Sequence, residues 1–421
     1  MAEVEALSTR CCIAGGGPAG MMLGYLLARA GVDVVVLEKH ADFLRDFRGD
    51  TIHPSTLEVM GELDLLDAFL ARPHDELREI EGQIGAETLT VAEFSHLPTR
   101  CKFVALMPQW DFLDFLAGEA RRHPSFRLMM ESEATALLRA GERVVGVRVR
   151  TPHGDGKLDA DLVVACDGRH STLRSDAGLE LIDLGAPIDV LWFRLSKRAD
   201  DRAQTLGRFD GGRILVMIDR GQYWQCAFVI AKGGYAAVRA KGLAAFQHEL
   251  AALMPHLADR IGALASWDDV KLLTVSVNRL RRWHLPGLLC IGDAAHAMSP
   301  VGGIGINLAI QDAVAAANIL APALQRGDAI PEALLARVQR RRALPTRLTQ
   351  GLQVLIQNRV LSRVLAERAR PLALPWPLRL FRRFPALRRI PARVIGMGFR
   401  PEHVHLPPRR AVDRTAAAGA S

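Results

Sequence analysis

Residues 11–40 read CCIAGGGPAGMMLGYLLARAGVDVVVLEKH. The apolar run at 11–14 is typical of a buried parallel strand. Gly15 and Gly17, which follow it, permit a tight turn and a close approach of the backbone to a pyrophosphate, and Gly20 leaves room where the next helix crosses the strand. The stretch therefore predicts a strand, a phosphate-binding turn and a helix.

The rest of this stretch indicates which nucleotide the turn holds. Pro18 and Ala19 begin the helix, whose free N-terminal amides favour a phosphate anion. Glu38, with Lys39 beside it, ends the second strand, 18 residues after Gly20. Its carboxylate can accept both ribose hydroxyls of an adenosine and would repel a 2′-phosphate, which argues against NADP at this site. FAD and NAD both remain compatible, because both carry an ADP half.

Length and composition narrow the class of protein. A chain of 421 residues, 49% hydrophobic and 24% charged, can bury a large core and is expected to form two or more domains. No apolar run reaches transmembrane length and no signal-peptide pattern is present, so a cytoplasmic protein is expected. The six cysteines include no CxxC pair and are expected to be reduced core residues, without a disulfide or a metal site.

Charge is distributed unevenly along the chain. Residues 337–421 hold 19 arginines, no lysine and three acidic residues, whereas the remainder carries 35 basic and 43 acidic residues. We expect this basic segment to pack over the acidic body, because its prolines interrupt any long helix lying parallel to a membrane. Weak contact with an anionic membrane surface is the alternative. No nucleic-acid-reading module accompanies the charge, so nucleic-acid binding is not expected.

Three polar positions follow in the next part of the chain. Arg48 stands in a loop, where its guanidinium could reach a phosphate, and Gln109 stands at the start of an amphipathic helix. The strand DLVVACDG, residues 161–168, ends in Asp167 and Gly168. An acid at the carboxyl end of a strand can lie against a nucleotide, or it can cap the helix that follows.

A second strand and glycine-rich turn occupy residues 286–320, PGLLCIGDAAHAMSPVGGIGINLAIQDAVAAANIL. Asp293 follows Gly292 at the strand end and could bind a sugar-like hydroxyl. The loop from Pro300 through Gly302, Gly303 and Gly305 then opens a long helix, where backbone amides would stabilise electron density on a ligand carbonyl. Two glycine-rich helix starts suit a two-ended cofactor.

The chain resembles the class A FAD-dependent aromatic monooxygenases, the group related to p-hydroxybenzoate hydroxylase. The resemblance is carried by motifs in a fixed order: GGGPAG, Glu38, Arg48, Gln109, DGRHSTLR and GDAAHAMSPVGGIGIN. The resemblance spans about residues 8–345. It implies that the cofactor is FAD and that these residues bind it: Gly15, Gly17, Pro18, Ala19, Gly20, Glu38, Lys39, Arg48, Gln109, Asp167, Gly168, Gly292, Asp293, Gly305 and Asn307. In that family Asp293 would bind the ribityl chain.

The resemblance also implies a chemistry. NADH or NADPH would reduce the flavin, O2 would form a flavin C4a-hydroperoxide, and its terminal oxygen would pass to an electron-rich ring. Pro300, Gly302 and Gly303 would surround the carbon that carries oxygen, and no acid or base is assigned. No second dinucleotide motif is found, which agrees with a transiently bound nicotinamide. One departure is Ile304, where the family often has glutamine.

The expected fold class is α/β, with a Rossmann-like FAD-binding domain, an inserted antiparallel β-sheet substrate domain and a helical C-terminal segment. The FAD-binding domain would comprise residues 1–80, 104–180 and 284–340, and the substrate domain 81–103 and 181–283, where the sequence alternates with period two. Residues 341–408 would form the helical arginine-rich segment, and 409–421 a disordered tail.

The substrate is expected to be an aromatic, quinone-like or polycyclic small molecule in an apolar pocket between the inserted sheet and the flavin. His53, His296, Arg213 and Tyr223 are candidates for contact with it, although each residue type is more often structural. A reductase or dehydrogenase of an isoprenoid-like substrate is one alternative function. A flavin halogenase is another, disfavoured because no WxWxIP stretch occurs. No motif distinguishes a monomer from a homodimer.

Overall fold

The computed structural model describes residues 7–44, 51–85, 87–201, 206–366 and 376–407. Its strands are β1 (Leu7–Ala14), β2 (Val34–Leu37), β3 (Thr51–Ile52), β4 (Asp75–Leu77), β5 (Glu79–Ile84), β6 (Glu87–Glu93), β7 (Val104–Leu106), β8 (Phe126–Met129), β9 (Glu133–Ala140), β10 (Arg143–Thr151), β11 (Gly154–Ala165), β12 (Leu181–Asp183), β13 (Ile188–Ser196), β14 (Leu206–Asp210), β15 (Arg213–Asp219), β16 (Tyr223–Ala231), β17 (Lys271–Leu273), β18 (Asn278–Leu280), β19 (His284–Leu285), β20 (Leu288–Cys290) and β21 (His296–Ala297).

Its helices are α1 (Pro18–Arg29), α2 (Pro54–Glu62), α3 (Leu66–Leu70), α4 (Gln109–Ala120), α5 (Thr172–Asp176), α6 (Tyr235–Ala240), α7 (Leu243–Leu253), α8 (Ala258–Ile261), α9 (Gly305–Arg326), α10 (Glu332–Ile356), α11 (Ser362–Ala366), α12 (Trp376–Arg383) and α13 (Arg389–Met397). A π-helical turn, Gln357–Leu361, joins α10 to α11. The predicted disordered tail, residues 409–421, lies outside the described residues.

The first sheet carries the nucleotide-binding motifs. Its main path is β19-β20-β11-β1-β2-β8, and the β9–β10 hairpin attaches to the N-terminal half of β11. The strands β20, β11, β1, β2 and β8 are parallel. Such strands are buried on both faces, which explains the continuous apolar runs that the sequence shows in β1 and β2. This sheet confirms the expected α/β class with a Rossmann-like core.

The second sheet has seven strands in the order β17-β13-β16-β15-β14-β5-β6. All its neighbouring pairs are antiparallel except β14 and β5, which are parallel. The sequence predicted an antiparallel sheet and missed this pair. Because β5 reaches the sheet by a long connection through the first sheet, no hairpin fixes its direction. The sheet draws its strands from residues 79–93 and 188–273, and the domain boundaries given above stay predictions.

Apolar clusters lie against both faces of the second sheet. One face holds Phe193, Trp224 and Phe228 and packs on α7, whose Phe246 contacts Phe193 and Phe228 edge to face. The other face packs on the chain around Leu361. The sheet is therefore covered on one side by its own helices and on the other by the C-terminal part of the molecule.

The described part of the basic C-terminal segment packs on the body. Ala392 in α13 is fully buried against Ala92 and Phe94, at the edge of the second sheet. Arg382 pairs with Glu87 at 2.6 Å on the surface. These contacts agree with packing, the arrangement favoured from the sequence.

One helical stretch, Val301–Arg326, is long and apolar enough to cross a membrane by length and composition, contrary to the expectation from the sequence. However, 83% of its most apolar window is buried inside the protein. Helix α9, which makes up most of this stretch, contacts α1 and α10 in the interior and is a core helix.

Candidate functional site

Four parallel strands of the first sheet end at one edge. Ala14, Leu37, Ala165 and Cys290 are the last residues of β1, β2, β11 and β20, and the register pairs Ala14 with both Leu37 and Ala165, and Ala165 with Cys290. Ligands of open α/β sheets bind outside the carboxyl ends of their strands. The polar and glycine residues that follow these strands are therefore brought side by side where a nucleotide would lie.

The first glycine-rich turn is built for close backbone packing and leaves one side open. A Cβ on Gly15 would lie 2.4 Å from the Cys166 carbonyl oxygen, and one on Gly20 would lie 1.9 Å from the Gly15 carbonyl oxygen. At Gly17, directly before α1, a Cβ would meet nothing within 4 Å. The turn thus packs tightly against the sheet and exposes the start of α1, a geometry that fits a pyrophosphate.

Glu38 follows β2 and lies beside this turn. Its Oε2 accepts a hydrogen bond from the Gly16 amide at 3.0 Å, and its Oε1 accepts one from the His40 amide at 3.1 Å and lies 2.5 Å from His40 Nδ1. The side chain is buried, whereas the neighbouring Lys39 is exposed. The Glu38 carboxylate thus ties the first turn to the end of β2, and its contact with an adenosine ribose stays a prediction.

Asp167 follows β11, at the same edge of the sheet. Its Oδ1 accepts from the Ser171 hydroxyl at 2.5 Å and its Oδ2 from the Leu173 amide at 3.2 Å. Burial raises the pKa of this carboxyl, and the hydrogen bonds from Ser171 and the backbone only partly oppose that effect. Asp167 thus helps to fix the start of α5, as the helix-cap interpretation predicted, and its contact with FAD stays a prediction.

The second glycine-rich turn meets the first. A Cβ on Gly292 would lie 3.1 Å from the Ala19 Cβ and 3.3 Å from the Ala309 Cβ, so the starts of α1 and α9 lie on either side of this turn. Asp293 follows in a short 3-10 turn and is only partly buried, whereas Gly292 itself is buried. Asp293 is thus partly exposed on the turn between the two helix starts, and its contact with the ribityl chain stays a prediction.

The loop from Pro300 to Gly305 lies against β3. The Thr51 hydroxyl donates to the Gly303 carbonyl at 2.9 Å. Gly302 and Gly303 both have positive φ angles, 79° and 63°, and Pro300 and Gly305 are only partly buried. Glycine is thus required at the loop's centre, and its backbone reaches the surface of the site.

Asn307 was predicted to bind the cofactor, but its side chain is used within the protein. Its Oδ1 accepts from the His53 amide and the Thr56 hydroxyl, both at 2.8 Å, and its Nδ2 donates to the Thr51 carbonyl at 3.0 Å. The polar atoms of Asn307 thus join α9 to the start of α2, and its contact with FAD stays a prediction. Its backbone amide belongs to the first turn of α9, whose amides lack intrahelical partners.

His53 and His296, two candidates for substrate contact, are buried and bonded inside the protein. His53 Nδ1 lies 2.7 Å from the Ile395 carbonyl oxygen in α13. Burial lowers the pKa of His53 to about 4, although this hydrogen bond opposes the change. Tyr223 lies under the Arg194 guanidinium, 5.0 Å from its ring centroid.

One group of buried charges around Asp312 was not predicted from the sequence. Asp312 in α9 is fully buried, and its Oδ2 lies 2.5 Å from His296 Nε2 and accepts from the Gly292 amide at 3.1 Å. Its Oδ1 accepts from Arg342 Nε at 2.9 Å. Burial alone would raise the pKa of Asp312, but the adjacent His296 and Arg342 outweigh burial and lower it. The carboxylate is therefore held in its charged form.

The C-terminal segment completes this cluster. Arg342 Nη1 donates to Glu402 Oε1 at 3.1 Å, and Arg341 Nε donates to both Glu402 oxygens, at 2.7 and 3.0 Å. The Glu402 amide in turn donates to Gln311 in α9. Each of the two carboxylates, Asp312 and Glu402, is thus paired with a guanidinium group.

One sequence signal could have identified this cluster. Asp312 is the single acidic residue in the apolar run 304–324, and a carboxylate on a buried helix is almost never left without a partner. Its partners could not be identified in the same way, because Arg342 and Glu402 are two of many charges in the basic segment.

The second sheet offers the candidate substrate surface. On its face toward the C-terminal segment, Trp192, Phe209 and Val216 are partly buried and share an apolar cluster with Val301, from the loop before α9. Arg213, a substrate candidate, precedes Ile214 of this cluster and so points to the opposite face. An apolar surface therefore approaches the Pro300–Gly305 loop, and Arg213 is not on it.

For two predicted cofactor residues, contact with FAD stays a prediction. Arg48 lies outside the described residues. Gln109 is the first residue of α4 and is partly buried. In the described parts of the chain, no group of three or more His, Cys, Asp or Glu side chains could hold a metal ion.

Comparison with known proteins gives a consistent result. The profile of a family described as "FAD binding domain" matches residues 8–351. Over 364 residues, the chain is 35% identical to 6-methylpretetramide 4-monooxygenase from Streptomyces rimosus, covering 84% of this chain and 85% of that protein.

Two solved structures share the fold. The p-nitrophenol 4-monooxygenase PnpA from Pseudomonas putida DLL-E4 matches with a TM-score of 0.74 and 17% identity, over 93% of this chain and 98% of that one. The myxobacterial chondrochloren halogenase CndH matches with a TM-score of 0.72 and 19% identity, over 92% of each chain. At these identities the likeness concerns the fold alone, and the fold by itself does not separate oxygenation from halogenation.

Proposed function

The chain belongs to the FAD binding domain family, and from that membership we propose that it uses NADH or NADPH and O2 to hydroxylate a polycyclic aromatic molecule. Its resemblance to the FAD-dependent aromatic monooxygenases is confirmed by the family match over residues 8–351 and by the 35% identity to a monooxygenase along most of both chains. FAD-dependent monooxygenation is therefore its activity, and the reductant and the substrate are the parts proposed.

One observation supports the proposal above the others. Gly292 packs against Ala19 and Ala309, so the two glycine-rich helix starts converge at one edge of the sheet. A two-ended cofactor such as FAD would place its pyrophosphate at the start of α1 and its ring at the start of α9. When bound, FAD would accept two electrons from a nicotinamide and activate O2 for transfer of one oxygen atom to an electron-rich ring.

The residues of the chain would hold and orient the reactants. The amides at the start of α1 would bind the pyrophosphate, Glu38 the adenosine ribose, and Asp293 the ribityl chain. The Pro300–Gly305 loop, braced by Thr51, would support the ring and direct backbone amides toward its carbonyl oxygen. No side chain in the described site stands out as an acid or base toward substrate, so positioning and exclusion of water are the main contributions of the protein.

The substrate class follows from the apolar surface and from the relative. Trp192, Phe209 and Val216 are partly buried in one apolar cluster with Val301, and side chains of this kind would suit a flat fused-ring molecule. The Streptomyces rimosus relative is named as acting on 6-methylpretetramide. We propose a phenolic fused-ring compound of similar size as the substrate.

The test begins with the visible spectrum of the purified protein, recorded without oxygen before and after addition of NADH or NADPH, with and without phenolic fused-ring compounds. A yellow protein that bleaches faster with one compound supports the proposal. A yellow protein that neither nicotinamide bleaches would overturn the proposed reductant.

The mass of the product then separates the reaction classes. Gain of one oxygen after admission of air supports hydroxylation. Gain of a halogen in the presence of halide would favour a halogenase, and gain of two hydrogens would favour a reductase acting on a hydrophobic substrate. Either of these masses would contradict the proposed reaction without contradicting the binding of FAD.

A further inference from the structure

The buried charge cluster lies directly behind the turn that carries Asp293. We propose that Asp312 is a positioning residue for FAD: it fixes the 292–296 turn so that Asp293 meets the ribityl chain, and the C-terminal segment holds Asp312 in place through Arg342 and Glu402. This inference rests on the proposed function, because it assumes that FAD occupies the carboxyl edge of the first sheet.

A single oxygen of Asp312 holds both ends of the turn. Oδ2 accepts from the Gly292 amide at 3.1 Å, and the same oxygen lies 2.5 Å from His296 Nε2. Between these two anchors stands Asp293, on the less buried side of the turn. Because both ends are tied to one atom, a shift of the Asp312 carboxylate would displace the turn as a whole, and Asp293 with it.

The other oxygen of Asp312 is tied to the C-terminal segment. Oδ1 accepts from Arg342 Nε at 2.9 Å, and Arg342 Nη1 donates to Glu402 at 3.1 Å. Asp312, Arg342 and Glu402 are 0%, 1% and 5% exposed. In so buried a site charges are weakly screened and hydrogen bonds are directional, so each group restricts the position of the next.

Further hydrogen bonds of Glu402 connect it to helices α9 and α10. Its carboxylate accepts from Arg341 in α10, and its amide donates to Gln311, one residue before Asp312 in α9. The segment that contains Glu402 therefore braces both helices whose side chains meet behind the turn. A residue near the C-terminus thus acts on cofactor binding without touching the cofactor.

The experiment measures dissociation constants of FAD and of FMN for apoprotein prepared from the full chain. Asp312→Asn should weaken binding of both by at least about tenfold, since a hydrogen-bonded charge is removed from the turn. The factor should be the same for both flavins, because both contain the ribityl chain. Glu402→Gln, which keeps the shape of the side chain, should weaken the binding of FAD and of FMN by equal factors. These factors should be smaller than those of Asp312→Asn.

A double-mutant cycle tests whether Asp312 acts through Asp293. The Asp293→Ala variant loses the proposed ribityl contact, so adding Asp312→Asn should weaken FAD binding by no more than about twofold further. Fully additive losses would show that Asp312 acts elsewhere and would overturn the inference. FAD binding unchanged in both Asp312→Asn and Glu402→Gln would overturn it as well.

Asp189→Asn is the matched control. Asp189 is 3% exposed, and its carboxylate accepts from Lys232 and from the amides of Gly233 and Val275, but it lies in the second sheet. Its substitution should lower the melting temperature without changing the dissociation constant of FAD. An equal loss of FAD binding in this control would mean that general destabilisation explains the effect, against the inference.

Failure of the inference and failure of the proposed function give different results. A wild-type protein that binds no flavin would overturn the proposed function. A wild-type protein that binds FAD tightly while Asp293→Ala binds it equally well would leave FAD binding intact and overturn both the ribityl assignment and the role of Asp312.

Discussion

Gly303 shows how much of the candidate site depends on a single missing side chain. Its φ angle is +63°, and a Cβ would lie 2.4 Å from Thr51 Oγ1. The Thr51 hydroxyl donates to the carbonyl of the same residue. A methyl group here would therefore strain the backbone and also disturb the contact between the loop and β3.

We predict that Gly303→Ala lowers the free energy of unfolding by about 2 kcal/mol, of which about 1 kcal/mol is left-handed strain and about 1 kcal/mol is the lost Thr51 hydrogen bond. Urea denaturation monitored by circular dichroism measures the change. Gly141→Ala is the control, because Gly141 has nearly the same φ, +62°, and a Cβ there meets nothing within 4 Å. Equal losses in the two variants would contradict a specific role for the contact with Thr51.

Glu38 has two functions that one substitution can separate. It holds the Gly16 amide at 3.0 Å, and we propose that it also binds the adenosine ribose. Glu38→Ala should weaken FAD binding by at least about tenfold and FMN binding much less, because FMN lacks the adenosine. Glu38→Gln, which retains one acceptor oxygen for the Gly16 amide, should show the same preference with smaller losses. An equal weakening of both flavins by Glu38→Ala would reject the ribose assignment, and titration of flavin fluorescence provides the constants.

At the scale of elements, the sequence predicted what is local and missed what joins distant segments. Strand β1, its turn and helix α1 follow from adjacent residues, because apolar periodicity and glycine spacing are local properties. The internal hydrogen bonds of Asn307 were not predicted, because its partners His53 and Thr56 lie some 250 residues away. The parallel pairing of β14 with β5 was missed for the same reason, since no turn connects these strands.

Helix α2 is joined to the C-terminal segment through His53, and this contact predicts a pH dependence. The pKa of His53 is about 4 in the folded protein against 6.5 for an ordinary histidine. The unfolded chain therefore binds more protons between these values, and His53's contribution to stability is complete above pH 6.5 and is lost as the pH falls toward 4. Between pH 7 and pH 5 the loss from this residue should be about 2 kcal/mol.

Denaturation of the wild-type protein and of His53→Asn at both pH values tests this prediction. Asparagine can still donate to the Ile395 carbonyl but does not titrate, so the variant should lose about 2 kcal/mol less on acidification. His153→Asn, at an exposed position, should behave as the wild-type protein does. An unchanged pH dependence in His53→Asn would reject the assignment.

At the scale of the whole molecule, helix α10 and the C-terminal segment that continues it hold the two sheets together. Leu335 and Val338 pack in the core of the first sheet, Leu361 and Val364 pack on the second, and Ala392 packs at that sheet's far edge. The sequence indicated a basic segment packed on an acidic body, but its composition could not indicate which apolar side chains contact each sheet. We therefore expect the two sheets to unfold as one unit although they are separate in the fold.

Leu361→Ala tests this coupling. Leu361 is 7% exposed within the apolar cluster on the second sheet, so its truncation should cost about 2–4 kcal/mol in the free energy of unfolding. Leu355→Ala is the control on the same run of helix, where the side chain is 50% exposed and the change should stay within about 0.5 kcal/mol. In both variants, denaturation followed by far-ultraviolet circular dichroism and by release of bound flavin should give one midpoint, lower for Leu361→Ala. If the flavin midpoint of Leu361→Ala stays at the wild-type value while the circular dichroism splits into two transitions, the sheets unfold independently and the C-terminal segment does not couple them.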